Sequence, residues 1–137
     1  MSKYLILSVI LLACVREDKW TVSFGQGDTI NVKVLVEEYE LSQGLMYHRT
    51  LAQDSGFLFL FPEPGIYSFW MKNTLIPLAI AFIDSNNQII TIDSMYPEDT
   101  ILTIPPVPII MALETNLSWF QDHQIRPGMV MKLNKIR

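Results

Sequence analysis

The feature that most constrains the fold is an unbroken apolar run at residues 57–61, which begins after Gly56 and ends at Pro62. A short apolar run between two residues that interrupt regular structure is typical of a β-strand covered on both faces. The chain is therefore expected to build a sheet with material packed on each side of this strand.

Much of the remaining chain divides into short strand-like segments separated by turn signals. Residues 29–36 alternate between polar and apolar side chains, and residues 84–87 carry the aspartate and asparagines of a tight hairpin. Further strands are predicted at residues 66–71, 78–83, 88–93, 109–116 and 129–133, with a short helix ending near Gly44 and a helical turn at residues 118–123. About seven strands in 137 residues predict one compact domain that is mostly β or α+β, either β-barrel-like or in two layers, with one or two short helices.

Residues 95–108 contain four prolines and little that favours regular structure. We expect an ordered, stiff surface loop that lies over the functional site as a lid. A proline-rich ligand for a partner domain is the alternative, but nothing in the flanking residues favours it.

The N-terminal segment has the layout of an export signal. Lys3 is followed by an apolar run that is too short to cross a membrane as a helix. Residues 11–13, with the sequence Leu-Leu-Ala, then precede Cys14 and resemble the lipobox of a bacterial lipoprotein. The alternative is a buried, unreactive cysteine on an N-terminal strand.

A lipoprotein signal would divide the chain into three parts. Residues 1–13 are the predicted signal peptide, residues 14–22 are the acylated Cys14 with a tether, and residues 23–137 are the domain proper. The prediction places the protein in the cell envelope, on its periplasmic or extracellular face, with the lipid anchor as its only membrane contact.

The charge pattern argues against nucleic acid as a partner. The formal net charge is −4, and the ten lysines and arginines are spread singly, with no basic run that could follow a phosphate backbone. The sequence has no glycine-rich phosphate loop, no paired cysteines and only two histidines, His48 and His123, which lack metal-ligand spacing. We therefore expect neither a metal nor another cofactor.

The strongest candidate for a functional segment lies at residues 69–82, where polar residues stand between two apolar runs. Trp70 offers a flat apolar surface, and after Met71 the chain adds the polar groups of Lys72, Asn73 and Thr74. A strand that delivers these groups to a cleft accounts for the pattern. A strand that ends in a solvent-exposed turn, with Trp70 in the core, accounts for it as well.

Glu114 is a second candidate, because it lies near the end of an otherwise apolar strand. A carboxylate in that position either pairs with a buried donor or acts as a functional acid, and its spacing does not choose between them. The predicted ligand-binding residues are Met46, Trp70, Lys72, Asn73, Thr74 and Glu114.

A series of motifs extends over most of the chain. In order, it comprises Gly44-Leu45-Met46, Leu51, Asp54-Ser55-Gly56, Leu58-Phe59, Phe61-Pro62, Phe69-Trp70-Met71-Lys72-Asn73-Thr74, Ile76-Pro77-Leu78, Phe82-Ile83-Asp84 and Leu113-Glu114. This series resembles the DUF192 family of uncharacterised bacterial and archaeal proteins, over roughly residues 34–133. The resemblance implies a compact β-rich domain that is often exported; it implies no established activity beyond the idea of a carbohydrate-related role.

The chain departs from the family pattern at several positions. Leu41 and Gln43 stand where the family usually has arginines before the Gly-Leu-Met motif, and His48 stands where arginine is common. Ala79 replaces the acid of a Pro-Leu-Asp pattern, and Met129 replaces the acid of a closing Gly-Asp. A glycine that usually follows the Leu-Glu motif is also missing. If the lost acid took part in chemistry, this chain binds a ligand without catalysing a reaction.

Three hypotheses remain open from the sequence. The preferred one is a lipid-anchored binding domain for a small polar ligand, such as a saccharide, in a cleft walled by Trp70. The second is a hydrolase-like enzyme that uses Glu114 as acid or base and Lys72 to stabilise developing charge. The third is purely structural and makes these residues fold determinants, with a buried ion pair between Lys72 and Glu114.

Overall fold

A computed structural model describes residues 17–25 and 27–137. The predicted signal peptide and Cys14 lie outside the described residues. In chain order the elements are β1 (Lys19–Phe24), β2 (Asp28–Leu35), α1 (Glu38–Gln43), β3 (Ser55–Gly65), β4 (Leu78–Ile83), β5 (Ile89–Met95), β6 (Ile109–Asn116), α2 (Trp119–Asp122) and β7 (Met131–Ile136). Within this part of the chain, no helix combines the length and apolar character needed to cross a membrane.

The strands form one mixed sheet in the order β5-β4-β6-β3-β2-β1-β7. β2 and β3 pair in parallel, and the other neighbouring strands pair antiparallel. The edge strands meet at one end, where the Ile89 N–H donates to the Met129 carbonyl at 2.9 Å and the Met131 N–H donates to the Asn87 carbonyl at 2.7 Å. The sheet therefore curls without closing into a barrel, and the predicted mostly-β, single-domain fold is confirmed.

Side chains on the two faces of the sheet pack into separate clusters. The face that carries α2, here called the α2 face, includes Leu58, Ala81, Leu113, Trp119 and Phe120. The opposite face, here called the loop face, includes Leu35, Phe59, Ile80, Phe82 and Ala112. Because successive side chains of a strand point to opposite faces, the run at residues 57–61 contributes to both clusters, as predicted.

The predicted strand at residues 66–71 is wrong. This segment makes a single isolated bridge, between Phe69 and Thr103. β3, which precedes it, already has β2 on one side and β6 on the other, so the chain after β3 finds no free edge beside it. The sheet has seven strands because it includes β1, a strand that the sequence did not predict. β1 begins at Lys19, before the predicted domain boundary at residue 23.

Irregular chain covers the loop face. Residues 36–54, which include α1, and residues 66–77 both bury apolar side chains in its cluster. Residues 96–108 run beside the second of these segments, since Phe69 and Thr103 exchange backbone hydrogen bonds of 2.9 and 2.8 Å. The loop face therefore owes its shape to connections between strands, and these connections leave a cleft.

Candidate functional site

The cleft opens on the loop face between the end of α1 and residues 66–70, and its volume is about 540 Å³. Its floor comes from the sheet, and its two walls come from the connections above the sheet. The lining residues are Leu41, Ser42, Gln43, Gly44, Leu45, Met46, Phe59, Phe61, Ile66, Tyr67, Ser68, Phe69, Trp70, Thr74 and Glu114.

The first wall is the end of α1 with the turn that follows it. The helix begins after Glu37, whose N–H donates to the Glu40 carboxylate at 3.2 Å, a pattern that stabilises helix starts. It ends at Gly44, which has a φ of +48°. A Cβ at Gly44 would come within 2.9 Å of the Phe59 ring, so glycine is what allows this wall to approach the floor.

The second wall is rich in aromatic side chains. Tyr67 stacks on Phe61 with ring centroids 3.8 Å apart and 5° between the ring planes. Phe69 meets Phe59 edge to face at 5.1 Å. Trp70 continues the wall and is 44% exposed. Aromatic linings of this kind bind the apolar faces of small ligands.

Backbone hydrogen bonds hold the walls in position. The Tyr47 N–H, just after α1, donates to the Asn73 carbonyl at 2.8 Å and so joins the two walls at one end. The Met71 N–H donates to the Asp99 carbonyl at 2.8 Å, which ties the second wall to the proline-rich loop. The prediction that residues 95–108 form a lid is wrong, because these residues do not line the cleft and instead hydrogen-bond to the second wall.

Glu114 is the one carboxyl group among the lining residues. Its neighbours across the sheet are Phe57 of β3 and Ile80 of β4, so apolar side chains flank it on both sides. The side chain is 5% exposed, and the described residues give its carboxyl group neither a hydrogen bond nor an ion pair. Burial disfavours the charged form and raises the pKa of Glu114 to about 8. At neutral pH the group is therefore mainly protonated.

Four of the six predicted ligand-binding residues line this cleft, namely Met46, Trp70, Thr74 and Glu114. Lys72 and Asn73 do not line it. Asn73 occupies a turn at φ +57° and acts through its backbone, since its N–H donates to the Glu98 carboxylate at 3.2 Å and its carbonyl accepts from Tyr47. The sequence motif therefore supplies the wall and its turn rather than a continuous row of ligand-binding groups.

The ammonium group of Lys72 contacts Trp70. Its Nζ lies 5.3 Å from the centroid of the Trp70 ring, within the range of a cation–π contact. Among the ion pairs of the described residues, none joins Lys72 to Glu114. The buried ion pair required by the structural hypothesis is therefore not formed.

Much of the lining carried no readable signal in the sequence. Phe59 and Phe61 are two residues apart on one strand, and this spacing does predict that they share a face. Ser42, Gln43 and Tyr67 lie on irregular chain or at a helix end, where position depends on the whole fold. The walls were therefore less predictable than the floor.

The departures from the family pattern fall in different places. Leu41 and Gln43 line the cleft, so two positions expected to carry arginine are uncharged here. Ala79 packs in the cluster on the α2 face, on the opposite side of the sheet from Glu114. An acid at position 79 would not share the cleft with Glu114, so its loss does not decide whether the cleft has catalytic chemistry.

Outside the cleft, the described residues offer fewer groups suited to binding or catalysis. A second cavity of about 600 Å³ lies beside α2, with Arg126 as the charged group of its lining. Nowhere in residues 17–25 and 27–137 do three histidine, cysteine, aspartate or glutamate side chains form a group able to hold a metal ion.

Known proteins share both the sequence pattern and the fold. The model of the family DUF192, described as "Uncharacterized ACR", matches residues 21–133. A protein from Sinorhizobium meliloti 1021, described as a "putative transcription regulator", has a solved structure that matches with a TM-score of 0.77 at 31% identity, over 84% of this chain and 92% of that chain. A protein of unknown function from Novosphingobium aromaticivorans DSM 12444 matches with a TM-score of 0.77 at 28% identity, over 83% of each chain. Among curated proteins, no significant match was found.

The fold and the cleft define a class of small β-rich domains in which one curled mixed sheet has one face covered by loops. The chain belongs to the DUF192 family, since the family model matches most of its length. The predicted membership of this family is thereby confirmed.

Proposed function

We propose that this protein is a binding domain whose cleft on the loop face takes a small polar ligand, with a saccharide as the first candidate. One observation carries the proposal: aromatic side chains such as Tyr67 and Trp70 share a cleft with the buried acid Glu114 and the polar side chains of Ser42 and Gln43. A sugar has an apolar ring face and a rim of hydroxyl groups, and such a lining suits both.

We also propose that the domain is exported and anchored to the cell envelope by a lipid on Cys14. The support comes from the sequence, in which an apolar segment and a lipobox-like Leu-Leu-Ala precede that cysteine. Cells that express Cys14→Ser should no longer incorporate labelled fatty acid into this protein, and they should release or mislocalise it. Equal labelling of the two forms would refute the anchor.

A hydrolase is the second candidate, and one observation favours it. Burial raises the pKa of Glu114 to about 8, which keeps a proton available for general acid catalysis at neutral pH. Glycoside hydrolases mostly use a pair of carboxyl groups, however, and Glu114 is the one described carboxyl group that lines this cleft. Lys72, the proposed charge stabiliser, lies outside it. Binding without turnover is therefore the preferred function.

A role in transcription regulation, the description given to the Sinorhizobium protein, is not proposed for this chain. The net charge of −4 disfavours binding to a phosphate backbone. The helices of the described residues, α1 and α2, have six and four residues, which is short for a helix that reads the major groove.

Tryptophan fluorescence of the full chain tests the binding proposal, with glucose, galactose and N-acetylglucosamine as probes. A bound sugar should change the emission of Trp70, and Trp70→Phe should remove the change and weaken binding measured by calorimetry. Trp20→Phe is the matched control, because Trp20 packs against the cluster on the α2 face. The absence of binding by all three sugars would contradict the saccharide proposal, and release of a cleavage product from an oligosaccharide would favour the hydrolase.

A further inference from the structure

The electrostatics of the cleft narrow the class of ligand. Its lining contains one carboxyl group and, among the described residues, no lysine or arginine. We infer that the ligand carries an ammonium group that meets the Glu114 carboxylate, so that an amino sugar or a related cyclic amine binds in preference to its neutral counterpart. This inference rests on the proposed binding role of the same cleft.

The first support is that the buried carboxyl group of Glu114 has no partner among the described residues. Glu114 is 5% exposed, and the described residues supply no cation and no hydrogen-bond donor to its side chain. An ionised carboxylate in such surroundings is costly unless a positive charge joins it. Without a ligand, or with a neutral one, Glu114 avoids this cost at neutral pH by keeping its proton. An ammonium group offsets much of the cost, so that the acid can ionise and pair with it, because opposite charges attract strongly where water is excluded.

The second support is the aromatic lining. Rings of phenylalanine, tyrosine and tryptophan attract cations through their faces, and Tyr67, Phe69 and Trp70 all line this cleft. The protein itself provides an example at the rim, where the Lys72 ammonium lies 5.3 Å from the centre of the Trp70 ring. Aromatic side chains are a recurrent means by which proteins hold organic cations, and here they share the cleft with an acid.

Within the part of the chain that the structure describes, few other ionisable groups face Glu114. Its neighbours on β3 and β4 are apolar, and Tyr67 on the second wall donates its hydroxyl to the Glu63 carbonyl at 2.6 Å. Lys33 and His48 contact the Phe57 ring beside Glu114, at centroid distances of 5.8 and 5.4 Å. Both remain in a Glu114→Gln variant, so their contribution to any pH profile cancels when that variant is compared with the wild type.

Calorimetry on the full chain with two matched pairs of probes tests the inference. One pair is glucosamine and glucose, and the other is cyclohexylamine and cyclohexanol. In each pair the amine should bind at least about ten-fold more tightly than the neutral compound at pH 7. Glu114→Gln should reduce this preference to near equality.

The outcomes separate the inference from the proposed function. Equal binding of glucose and glucosamine would overturn the ammonium inference and leave saccharide binding standing. Tight binding of cyclohexylamine alone would support the ammonium inference and overturn the saccharide proposal. No binding by any of the four probes would overturn both.

Two further measurements keep the inference testable if Glu114→Gln does not fold. Gln43→Arg places a competing cation in the cleft, so it should weaken the binding of cyclohexylamine much more than that of cyclohexanol. In the wild type, cyclohexylamine should bind more tightly as the pH rises from 6 to 8 and then level off, because Glu114 must lose its proton to pair with an ammonium group that stays charged to about pH 10. A flat pH profile, or equal weakening of both probes by Gln43→Arg, would overturn the inference.

Discussion

The two faces of the sheet differ in what covers them and in what they bury. The α2 face has an apolar cluster in which Trp119 is 2% exposed. The loop face is covered by irregular connections, which leave a cleft that reaches down to Glu114, an acid that no described residue pairs with. Packing on the α2 face therefore supplies stability, whereas the loop face can hold a polar group whose burial lowers stability.

The largest expected contrast comes from one residue type placed on both faces. Trp119→Ala should lower the free energy of unfolding by about 3–5 kcal/mol, because it leaves a cavity in the closed cluster. Trp70→Ala should cost less than about 1 kcal/mol, since that side chain is half exposed at the cleft. Urea denaturation of the two variants measures both values. Similar losses would show that the faces are equally closed.

The next contrast tests how closely the first wall approaches the sheet. Gly44→Ala combines a positive φ with a contact of 2.9 Å to the Phe59 ring, and it should cost about 2–4 kcal/mol. Gly25→Ala is the matched control, because Gly25 also has a positive φ but no atom lies within 4 Å of its added Cβ. Its cost should be about 1–2 kcal/mol. If Gly44→Ala and Gly25→Ala lower the free energy of unfolding equally, the backbone at position 44 does not lie close against the Phe59 ring.

Glu114→Gln should change the pH dependence of stability. The pKa of Glu114 is about 8 in the folded protein, against an ordinary value of 4.5, so between these values the folded state keeps a proton that the unfolded state has released. The contribution of this proton to the free energy of unfolding is fully present below pH 4.5. It is lost as the pH rises from 4.5 toward 8, with a slope that approaches about 1.4 kcal/mol per pH unit. Denaturation of both proteins from pH 5 to 9 should show this slope in the wild type only. If the wild type and Glu114→Gln showed the same pH dependence of stability, the account of Glu114 as a desolvated acid would be contradicted.

The smallest effect is expected at Lys72. Because its ammonium lies over Trp70 at the surface, Lys72→Ala should change stability by less than about 0.5 kcal/mol. A double-mutant cycle with Glu114→Gln should show coupling close to zero. Coupling of several kcal/mol would restore the buried ion pair of the structural hypothesis and would make the loop face a second closed core.

The α2 face and the sheet were the more predictable part of the molecule. Alternation and turn signals correctly predict β2, β4, β5 and β6, because strand periodicity and hairpin residues are local properties. The predicted strand at residues 66–71 failed for a non-local reason. Its apolar residues suit a strand, but both sides of β3 are already paired.

The cleft was less predictable, because its walls are irregular chain. Trp70 and Glu114 stand out in the sequence as an aromatic residue and an acid in apolar surroundings, and both line the cleft. Lys72 is only two residues after Trp70, yet the turn at Asn73 leaves it outside the cleft. Neighbours in sequence share a segment, but the backbone path decides which of them face the same cavity.

The most direct test of the loop face is the titration of Glu114 itself, followed by carbon-13 NMR of glutamate-labelled protein. One carboxyl resonance should titrate near pH 8 and should be absent from Glu114→Gln. A Glu114 resonance that titrates near the ordinary value of 4.5 would show a solvated or paired acid. That result would contradict the account of a cleft whose floor holds a desolvated acid with no partner in residues 17–25 and 27–137.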